Sequence, residues 1–144
     1  MLEVAVYATH YLRYNWRKFQ ALHMLTHISI NNYTIVTALE IDFAPGMTVI
    51  TGETGAGKSI MLDALGLCLG DRADPKAVRH GCERAEVIAC FDISAIPQAG
   101  AWLQERDLHT GEECLLRRLV TAEGRSRAYI NGTTSTLQDC AELG

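Results

Sequence analysis

The pattern of apolar and polar residues predicts β-strands on both sides of one helical stretch. Apolar residues occupy every second position from Leu39 to Phe43, which predicts that residues 33–43 form a strand with one buried and one wet face. A shorter apolar run predicts a strand at Leu25–Ile30, joined to the next by a turn at Asn31-Asn32. Two strands therefore come before the glycine-rich stretch that starts at Gly52.

Helix-like and strand-like stretches alternate through the remainder of the chain, as in an α/β protein. The predicted elements are a strand at Met47–Thr51, a helix over Ser59–Leu69 that ends at Gly70, a polar connection from Asp71 to Arg84, a strand over Glu86–Ile93, a helix from Pro97 to about Leu108, strands at Glu113–Thr121 and Arg125–Ile130, a tight turn at Asn131-Gly132, and a helix from Leu137 to Leu143.

The residues between the first of these strands and the first helix fit the phosphate-binding pattern G-x-x-x-x-G-K-[ST] at every fixed position. Glycines at this spacing let backbone N–H groups and the start of the helix surround phosphate oxygens. In this pattern Lys58 reaches the β- and γ-phosphates, and the Ser59 hydroxyl ligates Mg²⁺. The predicted binding residues are Gly52, Glu53, Thr54, Gly55, Ala56, Gly57, Lys58 and Ser59, with Ser59 as the metal ligand.

Composition places the chain among ordinary globular proteins. Of its 144 residues 48% are hydrophobic and 21% are charged, which fits a single domain. No apolar run approaches the length of about 18 residues that a membrane-spanning helix needs. The five cysteines contain no C-x-x-C pair, which argues against a disulfide framework or a zinc site. We expect reduced cytoplasmic thiols, with Cys68 and Cys90 as core residues.

The formal net charge of −4 gives the chain no overall attraction to nucleic acid, so DNA binding would need a local basic patch. Two groups of arginines offer one, either as phosphate contacts or as ordinary solvated charge. The first group is Arg72, Arg79 and Arg84 in the polar connection, and the second is Arg117, Arg118, Arg125 and Arg127 on the two late strands. The sequence leaves both alternatives open for each group.

Residues 1–23 differ from the rest of the chain, because aromatic residues are crowded there beside basic ones. The basic residues follow the weakly apolar part, which is the reverse of the order in a secretory signal. We interpret the segment as an atypical leader or, more simply, as a misassigned start with the protein proper beginning at Met24. The head domain described below is then expected over residues 24–144.

Several stretches carry a resemblance to a known family. They are Met24–Tyr33 with Leu39–Phe43, Gly46–Ser59 with Asp63–Leu67 and Gly70–Ala73 behind it, and Cys114–Arg118 with Gly124–Gly132. From Met24 to the C-terminus the chain resembles the N-terminal part of the RecN family of bacterial DNA repair proteins. The phosphate-binding (Walker A) motif is shared by many ATPases, whereas the stretch from Arg125 to Gly132 resembles heads of the structural-maintenance-of-chromosomes (SMC) type.

This resemblance implies both a fold and a function. The fold would be the N-terminal lobe of an ABC-type ATPase head, with a mixed β-sheet around the Walker A helix. The ligands would be ATP and Mg²⁺, and the full protein would act on DNA in recombinational repair of double-strand breaks, in the cytoplasm and at the nucleoid. The partners would be the C-terminal half of the head, beyond a long coiled coil, and a second head in a homodimer.

Other motifs of that family are absent from these 144 residues. No signature loop occurs, no apolar run ends in the Asp-Glu pair of a Walker B motif, and Gln138 is not taken as the Q-loop glutamine. Without the carboxylate that activates water, we expect the isolated chain to be hydrolytically inactive. Two alternatives stay open: a truncated, non-catalytic nucleotide-binding or interaction fragment, and a different P-loop kinase or GTPase. The two strands before the loop and the lack of an N-K-x-D motif disfavour the last.

Overall fold

The computed structural model of the chain describes residues 25–44 and 56–144. Three of the sequence predictions lie outside the described residues: the leader over residues 1–23, the strand at Met47–Thr51, and the loop residues Gly52–Gly55. The first turn of the Walker A helix, with Lys58 and Ser59, is described.

Six strands form one sheet in the order β2-β1-β3-β4-β5-β6, and every neighbouring pair is antiparallel. The strands are β1 (Leu25–Tyr33), β2 (Val36–Asp42), β3 (Arg84–Asp92), β4 (Glu113–Thr121), β5 (Ser126–Ile130) and β6 (Thr133–Ser135). A mixed sheet, as predicted, would also contain a parallel strand. The strand predicted at Met47–Thr51 lies outside the described residues and stays a prediction.

Helices occupy the connections of this sheet and follow its last strand. They are α1 (Ala56–Cys68), a turn of 3-10 helix at Pro75–Ala77, α2 (Pro97–Glu105) between β3 and β4, and α3 (Leu137–Leu143) after β6. Within the described part of the chain, no helix is long and apolar enough to cross a membrane.

The predicted strands at Leu25–Ile30 and residues 33–43 are confirmed, but the turn between them is not where the sequence placed it. The chain reverses at Thr34-Ile35 and not at Asn31-Asn32, so β1 continues to Tyr33. A later segment pairs with the end of β1 and lengthens the hairpin, since the N–H of Arg79 donates to the carbonyl of Asn32 at 2.8 Å and Tyr33 forms a β-bridge with Val78. Asn32 adopts a φ of 51°, which its short polar side chain tolerates.

The helix predicted from Pro97 to about Leu108 is confirmed but ends earlier, at Glu105. Asp107 adopts a φ of 55°, and the N–H of Leu108 donates back to the carbonyl of Leu103 at 2.8 Å. Such a left-handed residue after the last turn closes a helix. The predicted tight turn at Asn131-Gly132 is confirmed, with φ values of 47° and 83° that suit a two-residue hairpin.

The two faces of the sheet differ in what they bury. The inner face packs against α1 through β1, β3 and β4. Its fully buried residues include Ile28, Ile30, Val87, Ala89, Leu116 and Ile130. On the outer face Ile88, Arg117 and Tyr129 lie side by side on β3, β4 and β5 and remain partly exposed. Strict alternation along β3 and β4 produces this division.

Candidate nucleotide-binding site

The described part of the predicted site is the first turn of α1, which begins at Ala56. Lys58 is half-buried there and Ser59 is exposed. No acidic residue lies in this first turn, where a carboxylate would interact with the positive end of the helix dipole. The first N–H groups of any α-helix also have no partner inside the helix. The amino end of α1 is therefore suited to an anion.

The side chains at this turn fit a triphosphate that carries Mg²⁺. Lys58 brings a cation on a flexible stem, and the Ser59 hydroxyl is an oxygen ligand of the kind that Mg²⁺ accepts. Mg²⁺ usually keeps several waters and is shared with substrate phosphates, so one protein hydroxyl is enough. Within residues 25–44 and 56–144, no group of three or more His, Cys, Asp or Glu side chains is placed to hold a metal ion.

The second half of α1 is buried on nearly all sides. Its buried side chains are Ala64, Leu65, Leu67 and Cys68, and the next residue along the chain, Leu69, is buried as well. In the first two turns, by contrast, Ser59 and Asp63 are exposed. Full burial of one leucine side chain contributes about 2 kcal/mol, so most of the energy that fixes α1 comes from its carboxyl half.

The carboxyl end of α1 is closed by a glycine in the left-handed conformation. Gly70 has a φ of 97°; its N–H donates to the carbonyl of Leu67 at 3.3 Å, and the N–H of Asp71 donates to that of Gly66 at 2.9 Å. This pair of bonds is the Schellman motif. A Cβ atom at Gly70 would lie 2.6 Å from the carbonyl oxygen of Leu137, so α3 approaches the end of α1 at backbone distance.

Arg118 lies inside the molecule at this same end of α1. Its side chain is 1% exposed, and its Nη2 donates to the carbonyl of Asp71 at 3.3 Å. Its Nε and Nη1 atoms have no hydrogen-bond partner among the described residues. Burial lowers the pKa of Arg118, while the nearby Cys140, Cys68 and Asp71 act in the opposite direction. The prediction that Arg118 shares a phosphate-binding or solvated surface with the other late arginines is wrong, because strand alternation turns it towards the core.

Three of the cysteines are buried core residues. Cys68, Cys114 and Cys140 are buried, and burial raises the pKa of Cys114 to about 12 and those of the other two above their ordinary value. The Cys68 thiol lies 3.6 Å from the carbonyl of Val87, which accepts its weak hydrogen bond. The interpretation of Cys68 as a core residue is confirmed, whereas Cys90 is only half-buried, on the outer face.

The other late arginines lie on or beside the outer face. Arg117 is held by the carboxylate of Glu86 and stacks over the ring of Tyr129, 5.3 Å from its centroid. Arg125 is exposed, with its Nε atom 3.8 Å from Glu123, and Arg127 is exposed opposite Leu119. The sequence did not reveal the partners of Arg117, since Glu86 and Tyr129 come from two different strands.

The arginines of the predicted polar connection do not act as one group. Arg72 is exposed between α1 and the 3-10 helix, whereas the backbone of Arg79 is tied to the end of β1. Arg84 is already the first residue of β3, on the outer face and opposite Thr121. Thr121 in turn accepts from the N–H of Arg125, so Arg84 and Arg125 flank the same residue at one end of the outer face.

The fold and the first turn of α1 define the class of protein. The sequence profile of a family described as "AAA domain" matches residues 27–136, and the chain belongs to this family.

Within that class the chain is similar to bacterial RecN. It is 51% identical over 121 residues to the DNA repair protein RecN of Vibrio cholerae and 50% identical over 123 residues to that of Haemophilus influenzae. These matches cover 84% and 83% of this chain but only 22% of each relative, so the chain spans about a fifth of their length. The resemblance stated from the sequence is confirmed.

A solved structure shows the fold independently of sequence. A structure from work on ATP-driven dimerization and DNA-stimulated activation of SMC ATPases superposes with a TM-score of 0.69 at 21% identity. The superposition covers 83% of this chain and 76% of that one. The predicted N-terminal lobe of an SMC-type ATPase head is therefore confirmed as the fold.

Proposed function

We propose that this chain is the ATP-binding N-terminal segment of an SMC-like head in a RecN-like protein of recombinational double-strand-break repair. The observation that carries the proposal is the amino end of α1. A complete phosphate-binding motif leads into a helix whose first turn has a half-buried lysine, an exposed serine and no carboxylate. The RecN relatives support the repair function.

Each residue of the motif has a role in binding MgATP. The backbone N–H groups from Glu53 to Ser59 donate to phosphate oxygens, with Gly52, Gly55 and Gly57 allowing the close approach. Lys58 neutralises charge on the β- and γ-phosphates, and Ser59 holds Mg²⁺. Phosphoryl transfer also needs a group that orients the attacking water. This chain therefore binds ATP, and hydrolysis belongs to the complete head.

The completed assembly includes two partners that this chain does not itself contain. One is the C-terminal half of the head, and the other is a second head in a homodimer. The SMC ATPases of the solved structure are described as undergoing ATP-driven dimerization, and the same arrangement would place a second head against the ATP bound at α1. We place the assembly in the cytoplasm, at the nucleoid.

Nucleotide binding by the 144-residue chain tests the site. We expect the chain to bind MgATP and Lys58→Ala to lose nearly all of this affinity, because the variant lacks the cation that faces the phosphates. Lys76→Ala, which removes an exposed lysine from the 3-10 helix, is the matched control and should bind as the parent does. Circular dichroism of all three proteins confirms that each is folded.

The same titration decides between the proposal and its alternatives. Equal or tighter binding of GTP would favour a different P-loop enzyme. A folded parent chain that binds neither nucleotide would favour a fragment with an interaction role only. Unchanged affinity in Lys58→Ala would reject the site itself.

We further propose that DNA contacts the end of the outer face that carries Arg84, Arg125 and Arg127. These side chains are exposed, and neither Arg84 nor Arg127 has an ion-pair partner among the described residues. Arginines on a chain of net charge −4 form the local basic patch that phosphate contact requires.

Salt dependence of DNA binding tests this surface. The suitable protein is a full-length chimaera in which this chain replaces the matching segment of the Vibrio cholerae relative. We expect Arg84→Gln and Arg127→Gln each to lower the slope of log affinity against log salt by about 1, the value for one lost phosphate contact. Arg106→Gln, directly after the last residue of α2, removes the same charge elsewhere. Equal effects of all three substitutions would reject the surface, since only net charge would then matter.

A further inference from the structure

Arg118 and α3 both contact the carboxyl end of α1, which is the end farthest from the predicted phosphates. Arg118 reaches from β4, where its neighbours across the sheet are Val87 and Ala128, to the carbonyl of Asp71 just beyond the helix. On its other side α3 contributes the buried Cys140. The guanidinium is thus enclosed by the sheet, the end of α1 and α3.

Stability alone is a poor reason for a cation at this place. Replacing a buried charge by an apolar side chain of similar volume is often neutral or even stabilising. Two of the three nitrogen atoms of the Arg118 guanidinium have no partner among the described residues, which increases the cost of burying it. Arg118 provides two interactions that an apolar side chain cannot. It donates a directed hydrogen bond to the carbonyl of Asp71, and its positive charge is attracted to the negative end of the α1 helix dipole.

We propose that Arg118 is a positioning residue for the nucleotide site, which fixes the carboxyl end of α1 to β4 and thereby sets where Lys58 and Ser59 lie. The proposal rests on the proposed ATP binding. From Lys58 to Cys68 the helix rises about 15 Å, so Arg118 acts through the helix and not on the ligand. A shift of a rigid, buried helix at one end displaces the side chains at its other end.

Substitutions at two neighbouring arginines of β4 test this role. In the 144-residue chain we expect Arg118→Met to keep or raise the thermal midpoint while weakening MgATP binding by about tenfold, a typical size for coupling through packed elements. Arg118→Lys, which keeps a cation at the end of α1, should recover part of the affinity. Arg117→Met, on the opposite face of the same strand, should bind MgATP as the parent chain does.

Each result decides the proposal. A folded Arg118→Met that binds MgATP as tightly as the parent chain would overturn it, as would equal losses in the Met and Lys variants. If Arg118→Met does not fold, Arg118→Lys is compared with Arg118→Gln, and equal affinities of these two would overturn it. If the folded parent chain binds no MgATP, the proposed function is rejected. If the parent chain binds MgATP and an Arg118→Met variant binds it equally well, only the role of Arg118 is rejected.

Discussion

The two ends of α1 are built in opposite ways. At the amino end Lys58 is only half-buried, Ser59 is exposed, and the first turn of the helix contains no acidic residue. At the carboxyl end every side chain from Ala64 to Leu69 is buried, and the last turn is closed by Gly70. One end of the helix is therefore available to a ligand, while the other is fixed in the core.

If α1 binds phosphate as proposed, this difference holds the helix in place without blocking its site. The energy that positions α1 comes from apolar burial and backbone contacts in its second half, because contacts around the first turn would compete with the ligand. The following elements share this work: β4 through Arg118, and α3 through its backbone against Gly70. Changes at the carboxyl end should therefore reduce stability most where they separate these elements.

The largest loss of stability is expected for Gly70→Ala. An alanine at position 70 would have to adopt a φ of 97°, which L-amino acids with a side chain rarely do. Its Cβ would lie 2.6 Å from the Leu137 carbonyl oxygen, so α3 would have to move. We expect a loss of at least about 3 kcal/mol in the free energy of unfolding, the upper part of the range for a strained residue. Urea unfolding measures this value.

Gly81→Ala is the matched control for that substitution. Gly81 also has a positive φ, of 82°, but nothing lies within 4 Å of its Cβ position. It should lose only about 1 kcal/mol, the cost of the backbone conformation alone. Similar losses at Gly70 and Gly81 would contradict the close contact between α1 and α3.

A smaller loss is expected at the start of α3. The Thr136 hydroxyl accepts from the N–H of Asp139 at 3.0 Å, and the Asp139 carboxylate accepts from the N–H of Thr136 at 2.9 Å. Thr136→Ala removes one half of this capping box and should cost about 1 kcal/mol in urea unfolding. Ser135→Ala, at the preceding position, should cost less, and the reverse order would reject the capping role.

The smallest effect on stability is expected from acid, which should weaken the capping box at the start of α3. Hydrogen bonds from Thr136 hold the pKa of Asp139 below its ordinary value of 3.8. A carboxyl group with a lowered folded-state pKa contributes stability above its unfolded pKa and loses it as pH falls through the folded one. Unfolding free energies measured at neutral pH and below pH 3.8 should therefore fall less in Asp139→Asn than in the parent chain. An equal fall in both proteins would show that Asp139 does not contribute.

The sequence predicted the elements well wherever one period dominated. Alternation from Val87 to Ile93 placed β3, and the motif placed the start of α1 beside Lys58 and Ser59. In β4 one alternating set holds Cys114, Leu116, Arg118 and Val120, and the other holds Glu113, Leu115, Arg117, Leu119 and Thr121. The first set is the more apolar, so alternation favoured burial of Arg118, and the error was to group it with the three other late arginines.

Tertiary contacts account for the remaining differences between the predicted and the observed structure. Asn31-Asn32 has the composition of a turn, but pairing with the segment around Arg79 extends β1 to Tyr33. The sequence also did not predict the contact between α3 and Gly70, because the glycine there indicates only the end of a helix. Such contacts join segments far apart in the chain, and local patterns do not contain them.

Hydrogen exchange of backbone amides along α1, with and without MgATP, tests the central claim most directly. NMR on the 144-residue chain would follow the amides of residues 56–59 and those of residues 66–71 in the same experiment. We predict that MgATP slows exchange at the amino end, where phosphate would accept from the N–H groups, and leaves the already bonded carboxyl end nearly unchanged. Unchanged exchange at residues 56–59 in saturating MgATP would contradict the account.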